Sequence, residues 1–250
     1  AEDGLRAAQG TRLLSPAPFP QRERGSSQID AGTNMDFEFS DEQEQLRDAV
    51  RRWVDKGFGF ERRHALAKAG GKTREVLGEL NELGLAGLVV PDTHGGMGFG
   101  AIEAMVVMEE LGRGLVNAPY AQAALVAPAL LSHAPAELQQ AWLPKIAGGE
   151  ALVVLAQQER ASRYNLDKVA VKAVEAGGAC KLSGTKVVVP AGDEADAFIV
   201  SARVSGSDSD PAGVALFVVD KGAAGSSLRG YPTQDGARAA EVMLAHAPAT

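Results

Sequence analysis

The sequence predicts an α+β fold in which a helical part is followed by a β-rich part, each forming its own domain. Two observations carry this prediction. Up to Gly148-Gly149, apolar side chains recur at helical spacing. From residue 151 onwards, short Val-rich runs alternate with Gly, Asp, Asn and Ser, which is typical of strands and their turns. We therefore expect a helical domain over 35–149 and a β domain over 150–250.

A flexible leader over 1–34 is expected to precede these domains. It contains three prolines within five residues, charges of both signs and no sustained periodicity. A segment of this composition cannot bury enough apolar surface to offset the entropy that it would lose on ordering.

The helical part begins with a capping box, because Ser40 is followed three residues later by Gln43. Apolar residues then recur at helical spacing from Leu46 to Val54. Further helices are predicted over 61–68, 73–83, 101–111, 119–132 and 136–146. The last of these is expected to end or bend near Leu143, because Pro144 cannot continue the helical hydrogen bonding.

Strands are predicted in the β-rich part from runs of β-branched and small apolar residues. The runs cover 151–156, 168–174, 186–189, 197–202, 214–220, 227–230 and 241–245. The clearest turn is predicted over 182–185, where Gly184 could supply the positive φ of a tight reversal.

Charge and cysteine content limit the possible functions. The formal net charge is −7 and the pI about 5.2, which argues against nucleic acid or an acidic membrane surface as the main partner. Cys180 is the only cysteine, so neither an internal disulfide nor a cysteine-based zinc site is expected.

No apolar run approaches the roughly 20 residues of a membrane span, and the N-terminus lacks a signal-peptide pattern. We expect a cytoplasmic protein.

Known catalytic sets are not recognisable in the sequence. The four histidines are scattered without the paired spacing of metal ligands, and no carboxylate can be assigned as a catalytic base. The spacing Gly96-x-Gly98-x-x-Ala101 satisfies a relaxed dinucleotide fingerprint, in which backbone amides approach a pyrophosphate. The ribose-binding carboxylate expected about 20 residues later is missing, which favours a structural or pocket-lining loop.

The polar run Gln157-Gln158-Glu159-Arg160 is a better candidate for a binding site. It follows an apolar strand, and the ends of strands are common places for ligand contacts. An ordinary polar turn is the alternative interpretation.

Five stretches, in the same order, resemble the acyl-CoA dehydrogenase family of flavoproteins. They are FSDEQEQLRDAVRRWV, ELGLAGLVVPDTHGGMGFGAIEAMVVMEELGRG, LPKIAGGEALVVLAQQE, KLSGTKVVVPAGDEADAFIVSAR and GYPTQDGARAAEVMLA. Together they extend over about residues 36–248. Within the family, the phrases ERxSRY at 159–164 and YPTQDG at 231–236 are most similar to the small subunit of pimeloyl-CoA-type, two-subunit dehydrogenases.

The resemblance implies a helical N-terminal domain, a β-barrel-like middle domain and a C-terminal four-helix bundle, with FAD between the last two. The sequence stops at Thr250, before that bundle and its catalytic glutamate would begin. We therefore expect this chain to contain only part of an active site, with the four-helix bundle absent from it.

The resemblance also places the flavin at two strand ends. The expected cofactor-binding residues are Leu155, Gln157, Gln158, Glu159, Val188, Val189 and Pro190, and the expected substrate-binding residues are Arg163 and Tyr164. Both strand ends depart from the family pattern. At the first, QERASRYN at 158–165 takes the place of the usual Thr-Glu-Pro-x-x-Gly-Ser-Asp. Val188 replaces an indole that normally lies against the flavin, and Pro190, which has no backbone N–H, replaces a threonine.

The implied activity is FAD-dependent α,β-dehydrogenation of an acyl-CoA, a reaction of fatty-acid β-oxidation, with a dicarboxylyl-CoA such as pimeloyl-CoA as a candidate substrate. Electron-transfer flavoprotein or a similar acceptor would take the electrons. The alternative is a non-catalytic partner subunit with weak or no flavin binding, which the departures at Val188 and Pro190 favour. In either case we expect a homo- or hetero-oligomer with another acyl-CoA dehydrogenase subunit.

Overall fold

Helices occupy the first part of the chain and strands the second in the computed structural model, which describes residues 38–176 and 179–250. The predicted leader over 1–34 lies outside these residues. The helices are α1 (Asp41–Gly57), α2 (Phe60–Lys68), α3 (Arg74–Glu82), α4 (Ala101–Arg113), α5 (Ala127–Leu131) and α6 (Ala136–Ala147). The capping box is confirmed, since Ser40 and Gln43 each accept a hydrogen bond from the other's backbone N–H.

A curled seven-stranded sheet follows the helices. Its strands are β1 (Val153–Ala156), β2 (Lys172–Ala176), β3 (Ala179–Pro190), β4 (Ala197–Arg203), β5 (Val214–Asp220), β6 (Ser226–Pro232) and β7 (Arg238–Ala249). The strand order is β1-β4-β2-β3-β7-β6, and β5 pairs with β4 outside this path. β1 runs parallel to β4, whereas β3 pairs antiparallel with both β2 and β7. The predicted fold class, helices followed by a curled sheet, is confirmed.

The predicted turn over 182–185 is wrong, because these residues lie inside β3. Gly184 pairs with Leu244 of β7 and has a φ of 143°. A Cβ on Gly184 would lie 2.8 Å from Val171 Cγ2. Glycine is therefore used here for close approach of a neighbouring segment, not for a reversal of the chain. The strand predicted over 168–174 begins only at Lys172.

Two predicted helices differ from the expectation. Helix α6 continues through Pro144 to Ala147, although an end or bend near Leu143 was predicted. Leu143 and Ile146 are both buried, and this burial outweighs the hydrogen bond that proline cannot make. The helix predicted over 119–132 is irregular, with a π-helical segment, Ala121–Val126, leading into α5.

The helices and the sheet share one core and are joined by hydrogen bonds at its edge. Buried residues of both parts, such as Leu80 and Phe198, belong to the same apolar cluster. The Glu194 carboxylate, in the loop between β3 and β4, accepts from the backbone N–H groups of Thr73 and Arg74 at 3.1 and 3.0 Å. A carboxylate stabilises a helix N-terminus in this position, so the loop that follows Pro190 is fixed against α3.

No helix in the described part of the chain has both the length and the apolar character needed to cross a membrane.

Candidate functional site

The structure brings the two predicted flavin-facing segments together. One segment follows β1, and the other is the last part of β3. The backbone N–H of Val187 donates to the carbonyl of Gln158 at a distance of 2.8 Å. Segments about 30 residues apart in the sequence are therefore neighbours at one place on the sheet.

Val188 has the unusual backbone conformation of this site. The pairing of β3 with β7 shifts register between Lys186 and Val189, which indicates a bulge. Val188 lies in this bulge with a φ of 52°, and its side chain is 48% exposed. A β-branched residue rarely adopts positive φ, and such strained residues are concentrated at functional sites. The bulge is thus the feature that most clearly marks this surface.

The predicted site residues differ in their exposure. Gln157, Arg163, Tyr164 and Val188 are exposed, Leu155, Gln158 and Pro190 are half-buried, and Glu159 and Val189 are buried. Tyr164 is 96% exposed, and Arg163 has a φ of 50°. The neighbouring Arg160 forms an ion pair with Glu241, at 3.0 Å.

Lys186 is the residue of this site that sequence reasoning missed. It is 0% exposed, and its ammonium group makes three hydrogen bonds. They reach the carbonyl of Gln157 at 3.1 Å, Glu159 Oε1 at 2.7 Å and Ser201 Oγ at 2.9 Å. The sequence did contain one signal for a role of Lys186. A charged residue begins the otherwise apolar run 186–189, which comes later in the chain than the polar cluster that begins at Gln157.

The Glu159 side chain is engaged inside the protein. Its carboxylate oxygens accept from the backbone N–H groups of Ala170 and Val171, at 2.9 and 3.2 Å, as well as from Lys186. Burial lowers the pKa of Lys186, and the hydrogen bond to Glu159 opposes that shift. We call Lys186, Glu159, Ser201 and the Gln157 carbonyl the Lys186 cluster.

The loop that matches the dinucleotide fingerprint does not present free amides to a phosphate. The backbone N–H groups of Gly96, Met97, Gly98 and Phe99 donate to carbonyls of residues 87–91. A Cβ on Gly96 would lie 2.0 Å from the carbonyl oxygen of Val90. The glycines therefore allow tight packing of this loop, which agrees with the structural interpretation favoured above.

Other candidates contribute no further site. Cys180 is half-buried, and burial raises the pKa of its thiol, which suits a packing role. Among residues 38–176 and 179–250, no three His, Cys, Asp or Glu side chains are grouped so that they could hold a metal ion.

The fold and this site define a class of protein in which helices precede a curled sheet and share a core with it, and in which β3 carries the strained, exposed Val188. Two family models match the sequence. The model of the acyl-CoA dehydrogenase N-terminal domain matches residues 40–150, and that of the acyl-CoA dehydrogenase middle domain matches residues 155–246.

Individual relatives are similar over most of this chain. Mitochondrial isovaleryl-CoA dehydrogenase of Pongo abelii is 30% identical over 231 residues, which cover 90% of this chain and 54% of that protein. (2S)-methylsuccinyl-CoA dehydrogenase of Cereibacter sphaeroides is 27% identical over 200 residues, 77% of this chain and 35% of that protein. The ChsE4-ChsE5 complex from Mycobacterium tuberculosis has a chain with 27% identity and a TM-score of 0.75, covering 86% of this chain and 56% of that one.

The chain belongs to the acyl-CoA dehydrogenase family, of which it carries the N-terminal and middle domains. It spans about half the length of the mitochondrial relative and of the ChsE4-ChsE5 chain.

Proposed function

We propose that this chain is part of an FAD-dependent acyl-CoA dehydrogenase subunit that introduces an α,β double bond into an acyl-CoA thioester. The observation that carries the proposal is the contact between Val187 and Gln158 beside the strained Val188. It joins the two strand ends that face the flavin in the family to which the chain belongs. The domain limits 35–149 and 150–250 are part of the same proposal.

The strand ends offer a flavin ring mainly apolar surface. Val188 is exposed, and Leu155 and Pro190 are half-buried, so apolar groups are available to an aromatic ring. Pro190 has no backbone N–H to donate. The side-chain amides of Gln157 and Gln158 can both donate and accept, and we assign the polar contacts to them.

FAD supplies the hydride-accepting chemistry when bound, and the protein supplies position and electrostatics. Residues of this chain would hold one face of the ring against the sheet and keep water away from it. The base that removes the α-proton is not assigned to any carboxylate of this chain.

A non-catalytic partner subunit is the second candidate. Val188 and Pro190 favour it, because neither offers the aromatic ring or the hydroxyl that the family uses at these positions. The similar structure from Mycobacterium tuberculosis is a complex of ChsE4 with ChsE5, and this supports a hetero-oligomeric assembly. We also propose that the chain is of the small-subunit type of pimeloyl-CoA dehydrogenases, on the resemblance at 159–164 and 231–236, which favours the same arrangement.

Flavin absorbance distinguishes these candidates. The full-length protein would be produced with and without the product of its neighbouring gene, purified, and mixed with acyl-CoA. We expect a yellow protein whose absorbance bleaches when acyl-CoA is added. Bleaching by the protein alone would exclude the non-catalytic role, and a colourless protein in both preparations would exclude the enzymatic one.

A dicarboxylyl-CoA is our proposed substrate class. Arg163 is exposed beside the site, and among the described residues no carboxylate pairs with it, whereas Arg160 is paired with Glu241. A guanidinium matches the geometry of a carboxylate at the far end of such an acyl chain. The similarity to (2S)-methylsuccinyl-CoA dehydrogenase, whose name contains a dicarboxylic acyl group, supports this class. Electron-transfer flavoprotein or a similar protein is the proposed acceptor.

The Arg163→Ala substitution tests this substrate class. We expect the KM for a dicarboxylyl-CoA to rise roughly tenfold, because a hydrogen-bonded charge pair is lost. The KM for a monocarboxylyl-CoA of equal chain length should stay unchanged. Arg160→Ala is the matched control and should change neither value. An equal rise for both substrates would contradict the role of Arg163.

A further inference from the structure

The Lys186 cluster connects four separate segments of the β domain. Lys186 itself is in β3, and its three hydrogen bonds use all three protons of the ammonium group. Gln157 and Glu159 belong to the segment after β1, and Ser201 is in β4. Through Glu159 the cluster also holds the backbone at Ala170 and Val171.

The cluster includes residues of both segments of the candidate site. Lys186 is two residues before Val188, at the point where the register shift of β3 begins. Its contact with the Gln157 carbonyl is next to the hydrogen bond between Gln158 and Val187. The buried ammonium group and this hydrogen bond between two half-buried residues therefore join the same two segments.

We propose that Lys186 and Glu159 are positioning residues, which hold the segments Gln157–Gln158 and Val187–Val188 in the relative arrangement that faces the flavin. The inference rests on the proposed function. It assigns Glu159, expected above among the cofactor-binding residues, a supporting role instead, because its carboxylate is buried and bound to Lys186, Ala170 and Val171. Placement of binding groups matters in this way because a displacement of about 1 Å can weaken a site by a large factor.

Stability alone does not require a charged pair at this position. Apolar residues of similar volume often replace a buried ion pair without loss of stability, because desolvation of the charges offsets their attraction. Unlike apolar packing, a hydrogen-bonded ion pair is directional, because each hydrogen bond fixes the position of one partner atom. The ammonium group of Lys186 fixes a carbonyl, a carboxylate and a hydroxyl at once.

The test uses a double variant that removes both charges and preserves side-chain size, Lys186→Met with Glu159→Gln. The control is Arg51→Met with Glu110→Gln in the helical domain. Glu110 is also buried, and it pairs with Arg51 of α1 at 2.5 Å and with Arg113 of its own helix α4 at 2.7 Å. The full-length protein, with and without the product of its neighbouring gene, would be titrated with FAD, and its thermal unfolding would be recorded.

We expect the Lys186/Glu159 variant to raise the Kd for FAD roughly tenfold or more, and the Arg51/Glu110 variant to leave it within about twofold. Amide hydrogen exchange gives a readout that does not depend on FAD. The N–H of Val187 should exchange faster in the first variant only, because its acceptor on Gln158 is no longer held.

An unchanged Kd in the Lys186/Glu159 variant, or an equal rise in both variants, would overturn the positioning role. If the unaltered protein takes up no FAD, the proposed function fails, and exchange at Val187 then decides this inference alone. Faster exchange in the Lys186/Glu159 variant only would support it, and unchanged exchange would refute it.

Discussion

The Glu159→Ala substitution is expected to lower the free energy of unfolding by about 3–5 kcal/mol, because it leaves the Lys186 charge buried without its partner. Lys186 is 0% exposed, and its Nζ lies 2.7 Å from Glu159 Oε1. The N–H groups of Ala170 and Val171 lose their acceptor as well. Urea unfolding followed by circular dichroism measures the change.

The matched control is Glu44→Ala on the surface of α1. Glu44 forms a partly exposed ion pair with Arg47, one turn away on the same helix. Pairs of this kind contribute about 1 kcal/mol or less, so the control should unfold nearly as the unaltered protein does. If Glu159→Ala lowers the free energy of unfolding no more than Glu44→Ala does, Lys186 is not buried as a charge.

The Gly96→Ala substitution should have the next largest effect, a loss of about 3 kcal/mol. The new Cβ would lie 2.0 Å from the carbonyl oxygen of Val90 and 2.5 Å from the Cβ of Val90. These distances are too short for non-bonded atoms, so the loop must move. Two carbonyls would lose their donors if it moved, because Gly96 donates to Pro91 and Gly98 to Val90. The free energy of unfolding in urea again provides the measurement.

Gly78→Ala is the control for this second prediction. Gly78 lies inside α3, and a Cβ there meets no atom within 4 Å. Alanine in the interior of a helix is more favourable than glycine by about 0.5–1 kcal/mol, so this variant should be slightly more stable. Equal stability of the two variants would contradict the close packing of Gly96 against Val90.

Local signals in the sequence predicted much of the fold. The capping box formed by Ser40 and Gln43 depends only on residues three apart, and it correctly predicts the start of α1. The expected turn at Gly184 failed for the opposite reason. Whether a glycine serves a reversal or a close approach depends on Val171, which reaches it only in the folded sheet.

The contact between the two candidate segments agrees with the family resemblance, whereas the contacts that support them were not predicted. The polar run at Gln157–Arg160 indicated a strand end, and the family resemblance paired it with Val188–Pro190. Nothing in the sequence relates Lys186 to Glu159, which lies 27 residues away. Their pairing arises because the segment after β1 lies against β3 at Lys186 and Val187, and only the tertiary structure shows it.

The central claim is that the strand ends at Gln157–Gln158 and Val188 form one side of a flavin site. The most direct test is an experimental structure of the full-length protein, in whichever oligomer it forms, in the presence of FAD. We predict that the flavin ring lies in van der Waals contact, at about 4 Å, with Val188 and the segment after β1. A flavin bound elsewhere, or this surface covered by protein with no flavin, would contradict the claim.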